Sequence, residues 1–266
     1  VIGDGAGGAN SDIVKLLANE QINNGTSVFV DGSSGKFDLN NFSETILVLS
    51  DNGAVAVNGS SVTLGSGTLT FGDGTNQTFS GAITGTGNII KNGTGTQTLA
   101  GTTTANTFSG LTTVNAGELD LNKTDGTLAI GGNLTIGDGA GGANSDIVKL
   151  LASNQIIDTS AVLIDGSSGR LDLNGFNETI GSFGDTGAVT VNGSSVDLGA
   201  GGTLTFGDAN NKTFSGAITG AGGNLIKNGT GTQTFAGTTT ANTYSGLTTV
   251  NSGELDLNKT AGTLAI

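Results

Sequence analysis

Ile2-Gly3-Asp4-Gly5-Ala6-Gly7-Gly8-Ala9-Asn10-Ser11-Asp12-Ile13-Val14-Lys15-Leu16-Leu17 is repeated without change as Ile136 to Leu151, an offset of 134 residues. Outward from this stretch, Asp31-Gly32-Ser33-Ser34-Gly35 returns as Asp165 to Gly169 at the same offset. At Phe71 and Phe206 the offset is 135, because Gly65-Ser66-Gly67 is answered by Gly199-Ala200-Gly201-Gly202. At Asn88 and Asn224 it is 136, because Gly85-Thr86-Gly87 is answered by Gly220-Ala221-Gly222-Gly223. Both extra residues fall in glycine-rich segments between apolar runs, where a turn absorbs a residue without moving the next strand's inward face outward. Val1 matches Thr135 and Ile266 matches Ile130. The chain therefore reads as two long repeats, 1–134 and 135–266, taken from a longer array.

A finer rhythm runs inside each repeat. Leu171-Asp172-Leu173, Val189-Thr190-Val191, Leu204-Thr205-Phe206, Leu225-Ile226-Lys227 and Thr232-Gln233-Thr234-Phe235 alternate with period two, the mark of strands with one buried face. Their centres recur every ~8–12 residues, as in all-β architectures. Asn58-Gly59, Asn92-Gly93, Asn192-Gly193 and Asn228-Gly229 supply positive-φ turns between them. A sandwich or antiparallel barrel needs long-range pairings that do not repeat, whereas a text recurring along the chain suits a coil advancing on one axis. The expected fold is an all-β, right-handed parallel β-helix with about six rungs of ~20–25 residues per repeat, stacked at ~4.8 Å. Two repeats would make one continuous rod of about 55–60 Å rather than two independent domains. Ser11 to Ala18 is ambiguous, with an N-cap and helical apolar spacing set against β-branched Ile13-Val14; the strand reading is preferred.

Composition narrows the chemistry. Among 266 residues there are 49 Gly and no Pro, Cys, Met, Trp or His. No ordinary zinc site, thiol nucleophile, imidazole base or disulfide framework can be built. The net charge of −13, with Arg170 as the one arginine, argues against a nucleic-acid partner. No apolar run approaches the ~20 residues of a spanning helix, so membrane insertion by this segment is not expected. With no initiator Met and no signal peptide, the chain reads as a piece of a longer one.

Gly85-Thr86-Gly87-Asn88-Ile89-Ile90-Lys91-Asn92-Gly93-Thr94-Gly95-Thr96-Gln97-Thr98-Leu99-Ala100-Gly101, continuing through Asn106-Thr107-Phe108-Ser109-Gly110-Leu111 to Glu118-Leu119, resembles the autotransporter-associated β-strand repeat. Gly220 to Leu257 resembles it again, with Tyr244 in the place of Phe108. Glu118 and Glu254 depart from the small polar residue more usual in that repeat. The resemblance implies a passenger β-helix of a bacterial type V secreted or giant surface protein, and hence a secreted or cell-surface location. It says little about molecular role.

Candidate sites are few. Gly7 to Lys15 comes close to the calcium-binding nonapeptide of β-rolls, which nominates Asp4 and Asp12, with Asp138 and Asp146 in the second repeat, as calcium ligands. Calcium wants six to eight oxygens, and a nonapeptide without a tandem neighbour falls short; the simpler reading is a glycine-rich corner capped by Asp. No other cofactor is indicated. Asp38, Asp120, Asp172 and Asp256 alternate outward, and Glu118 and Glu254 share a strand face with Asp120 and Asp256. Paired carboxylates can perform glycosidase chemistry, but exposed carboxylates on a thin rod are ordinarily a solvated face. Thr68/Thr70, Thr96/Thr98 and Thr203/Thr205 are scattered, unlike the flat threonine array of an ice-binding solenoid. The expectation is a non-catalytic structural module, a rigid stalk or fibre. The alternative is an adhesin that binds glycans or cell-surface ligands through a repeated lateral face. The expected partner is the chain itself, end to end through its terminal rungs.

Overall fold

The computed structural model describes residues 1–51, 59–102, 104–185, 193–238 and 240–266. Val189-Thr190-Val191, Asn58 and Asn192 lie outside the described residues. Every strand pairing is parallel, and no helix occurs among the described residues. Each strand bonds to the strand one coil earlier and one coil later, which makes a three-faced β-solenoid of about ten turns. At ~4.8 Å per coil it is about 50 Å long. Parallel strands joined by crossovers take the right-handed sense almost without exception.

The first face starts at Ile2, which bridges to Val30 beside Ser27–Phe29, and then pairs Val48–Ser50. Asp51 N–H donates to Thr78 O at 3.0 Å and carries the face on to Gln77–Phe79. Beyond lie Thr96–Gly101, Gly117–Lys123, Asp146–Leu150, Gly169–Asp172, Ser195–Asp197 and Ala217–Thr219. A second face runs Asp12–Lys15, Gly35–Asp38, Ser61–Thr63, Ala82–Thr84. It passes through residues 106–108, 128–130 and 156 before resuming as Glu178–Thr179, Thr203–Phe206, Asn224–Lys227 and Thr248–Val250. The third holds Glu44–Thr45, Thr68–Phe71, Asn88–Lys91, Thr112–Val114, Leu134–Ile136, Ala161–Ile164 and Ser182–Gly184. Asp185 N–H to Thr213 O, 2.9 Å, extends it to Lys212–Phe214, Thr232–Phe235 and Glu254–Leu257.

Alternation places Leu, Ile, Val and Phe from all three faces in one axial core, where Phe183 meets Phe206 edge-on at 4.8 Å. The Ser11 to Ala18 stretch is strand in both copies, Asp12–Lys15 and Asp146–Leu150, with Val148 and Leu150 inward and Ile147 outward. The extra residues of the second repeat lie in turns: Leu64 and Leu69 are buried on either side of the shorter turn, Leu198 and Leu204 on either side of the longer one. Where the second face loses its ladder, Asn106 replaces it. Its Oδ1 accepts Ile83 N–H at 2.9 Å and its Nδ2 donates to Ala129 O at 2.8 Å, tying three coils together.

The repeat and the coil are out of phase. Asp12–Lys15 belongs to the second face, whereas its counterpart Asp146–Leu150 belongs to the first. Likewise Glu44–Thr45 is on the third face and Glu178–Thr179 on the second. One repeat therefore spans six turns less one face, and corresponding residues of successive repeats look in directions a third of a turn apart.

Candidate functional surface

Lys91 and Lys123 occupy inward positions of their strands and are as fully enclosed as the phenylalanines of the axial core, such as Phe71, Phe79 and Phe108. A buried ammonium is tolerated only with its protons placed. Lys123 Nζ donates to Gly81 O, Ala100 O and Thr104 O at 3.2, 2.8 and 3.0 Å; Lys91 Nζ donates to Asn92 O, Gly93 O and Ala116 O at 2.9, 2.8 and 2.9 Å. Lys227 and Lys259 repeat these bonds in the second copy, to Asn228, Gly229 and Ser252 and to Gly216 and Thr240. Burial pulls Lys91 and Lys123 down to about 8. Glu44 and Glu178 are inward as well. Glu178 accepts N–H bonds from Gln155, Ile156 and Thr179 at 2.8, 3.3 and 3.1 Å, yet burial pushes its carboxyl up to about 8. Composition gave no sign of these groups. The parity of the alternation does: in Leu225-Ile226-Lys227 the lysine falls on the inward side with Leu225.

The nominated aspartates have ordinary partners. Asp4 Oδ1 accepts Ala6 N–H at 2.8 Å and Asp138 Oδ1 accepts Ala140 N–H at 2.7 Å, each capping its own loop. Asp12 and Asp146 accept the preceding serine hydroxyls, at 3.3 and 3.0 Å, at the start of their strands. Asp146 is buried, with its Oδ2 unbonded and the Lys91 ammonium acting on it electrostatically. No three acidic side chains gather to hold a metal ion among the described residues.

The outward carboxylates form a ladder on the first face. Register places Thr98, Asp120, Lys149, Asp172 and Asp197 in one row, with Glu118, Ile147 and Arg170 beside it. Lys149 Nζ lies 3.7 Å from Glu118, and Arg170 bonds Asp172 and Asp197 at 2.9 and 2.7 Å. Burial first, then the neighbouring Glu118, raises Asp120 to about 7. The row is a charge-paired surface crossing the seam between repeats, with Glu118 and Asp120 before the seam and Lys149 after it.

This rod of stacked, cross-bonded coils defines the class: a parallel β-solenoid repeat protein. Residues 89–121 and 225–257 match the passenger-associated-transport-repeat family, so the chain carries two copies of an autotransporter passenger β-repeat. It is similar to the adhesin BmaC autotransporter of Brucella suis biovar 1 (strain 1330), at 34% identity over 217 residues. That alignment covers 77% of this chain and 5% of the Brucella protein. No solved structure matches.

Proposed function

We propose that this segment is a non-catalytic stalk of a secreted or surface-displayed bacterial passenger, extending the molecule away from the cell rather than holding its ligand. The observation that carries the reading is the unbroken ladder through the seam, Gly117–Lys123 on Asp146–Leu150 and Thr112–Val114 on Leu134–Ile136. A solenoid built by neighbour-on-neighbour stacking gains length with every repeat at constant cross-section. The outward carboxylates Glu118, Asp172 and Asp197 are paired with Lys149 and Arg170.

Similarity to an adhesin supports a second reading, in which the lateral surface itself binds glycans or cell-surface ligands. Avidity from a repeated side face would favour it. The phase of the coil weakens that route, because a surface motif returns to the same side only every third repeat. The isolated 266-residue chain should therefore give no saturable binding to glycans, matrix proteins or whole cells. Saturable attachment by that chain alone would replace the stalk reading with the adhesin one.

A further inference from the structure

The third face turns into the first at a corner that two successive coils cross briefly, at 92–95 and 115–116, and that residues 137–145 cross as a longer loop. Toward the coils that follow, this loop is bonded: Gly139 N–H donates to Ser168 Oγ at 3.2 Å and Ser195 Oγ to Asn144 Oδ1 at 2.6 Å. Toward the two coils before it lies a cleft of about 260 Å³, with Asp138, Ser145 and Asp146 on one wall and Thr94, Asn115 and Ala116 on the other. Asp146 is 1% exposed; its Oδ1 takes the Ser145 hydroxyl at 3.0 Å and its Oδ2 has no hydrogen-bond partner. Glu178, equally enclosed, accepts three N–H groups. A buried carboxylate oxygen left without a donor is costly. The cleft beside it offers more oxygens. Asp138 commits Oδ1 to Ala140 N–H, which leaves Oδ2. Asn115 commits Nδ2 to Asn92 Oδ1 at 3.0 Å, which leaves its own Oδ1. Against these two carboxylates stands one ammonium, that of Lys91, held on Ala116 O at 2.9 Å.

We propose that this cleft is a calcium site, with Asp146 Oδ2 and Asp138 as its charged ligands and Ser145, Thr94 and Asn115 as neutral oxygen donors. Water completes the six to eight oxygens that calcium takes. The ligands that a single nonapeptide lacks come from the two coils stacked before it, not from a tandem nonapeptide. Local sequence does not show this, because Thr94 and Asn115 reach Asp146 only through the coil. An all-oxygen set on a glycine-rich loop suits the flexible coordination of calcium better than the strict octahedron of magnesium. The bound ion ties the opening loop of one repeat to the closing coils of the repeat before it, across the seam. Thr230 and Asn251 occupy the places of Thr94 and Asn115 in the second copy, and Asn251 Nδ2 again donates to Asn228 Oδ1 at 3.0 Å. An array of these repeats would therefore hold one ion at each seam.

Calorimetric titration of the 266-residue chain with calcium chloride, in 0.15 M salt to screen its −13 net charge, tests this. One saturable site is expected, with a dissociation constant of about 10⁻⁴–10⁻³ M, as in extracellular calcium modules. The melting temperature should rise with calcium and not with equimolar magnesium. Asp146→Asn should abolish binding, Asp138→Asn should weaken it at least tenfold, and Asn115→Ala severalfold, with unchanged circular dichroism. Asp138 is exposed on the loop, so its variant decides the matter even where Asp146→Asn fails to fold. The absence of saturable heat up to about 10 mM calcium overturns the proposal. So does binding that survives Asp146→Asn or Asp138→Asn, or magnesium bound as tightly, which would mark diffuse attraction to an acidic surface. The stalk reading rests on the ladder through the seam and stands on either outcome.

Discussion

Glu178 is pulled two ways at once: three N–H donors favour its carboxylate, and burial among apolar coils favours the acid. Burial prevails, with the folded group titrating near 8 against 4.5 unfolded. Between these values the unfolded chain has released a proton that the folded chain still holds, so stability present below about pH 4.5 is lost as pH rises through 8. Asp120, raised from 3.8 to about 7, acts in the same sense. Lys91 and Lys123 act oppositely. Lowered from 10.5 to about 8, they release protons in the folded state first, so their contribution grows with pH between 8 and 10.5. The melting temperature should fall from pH 5 to a minimum near 8. Glu178→Gln, which keeps an acceptor and removes the titration, should flatten that fall; an unchanged slope would show that Glu178 is ionised in the fold. Gly87 is a different kind of constraint. A Cβ there would overlap Gly67 O of the preceding coil, and Gly110 stands in the same relation to Gly87. Gly87→Ala should cost about 2–3 kcal/mol by denaturant titration, since neither backbone can move without breaking a ladder.

At the scale of the strand and its turn, parity governs what the fold tolerates. Deleting Ala200 returns the second repeat's turn to the length of the first, where Leu64 and Leu69 keep their inward positions, and should change stability by less than about 0.5 kcal/mol. One alanine inserted between Leu204 and Thr205 would turn Phe206 outward and Thr205 inward, costing several kcal/mol, on the order of a lost core phenylalanine. Equal melting temperatures for the two variants would contradict the strand register. The same parity explains what could be read before the structure was known. Alternating runs and glycine-rich length changes are local, and they specify strands, turns and inward faces directly. Lys123 and Glu178 were legible in principle from their inward parity, but hydrophobicity points a charged side chain toward water. Only the carbonyls of residues 81, 100 and 104, distant in sequence, make the inward lysine acceptable. Lys123→Met should leave those three acceptors unsatisfied and cost about 3 kcal/mol or more, read as a lowered denaturation midpoint. The pairing of Lys149 with Glu118 was illegible for another reason: it depends on which rung stacks on which, and that follows from coil length rather than from any local pattern.

For the whole molecule, the mismatch between repeat and coil sets how length and surface grow. A repeat of six turns less one face rises by about 27 Å at ~4.8 Å per coil, and rotates its surface features by a third of a turn. Two repeats alone are a poor test of rod shape. At about 50 Å, so short a rod has a radius of gyration close to the roughly 18 Å of a compact chain of this length. Chains of four and six repeats separate the alternatives. In a stalk the maximum dimension measured by X-ray scattering should rise linearly, by about 27 Å for each repeat, while the radius of gyration of the cross-section stays constant. A globular packing of repeats would instead lengthen only as the cube root of mass. The rotation gives a second reading from the same chains. A cysteine placed at the outward position of Arg170 should lie on the same side as its counterpart three repeats later, and on different sides in adjacent repeats. Labels attached at adjacent repeats should therefore sit farther apart than the 27 Å rise alone requires, and those three repeats apart should be separated by the axial rise only. Distances that scale with the rise at every spacing would mean that the repeat is a whole number of turns, and a lateral face repeated copy after copy would again be available for binding.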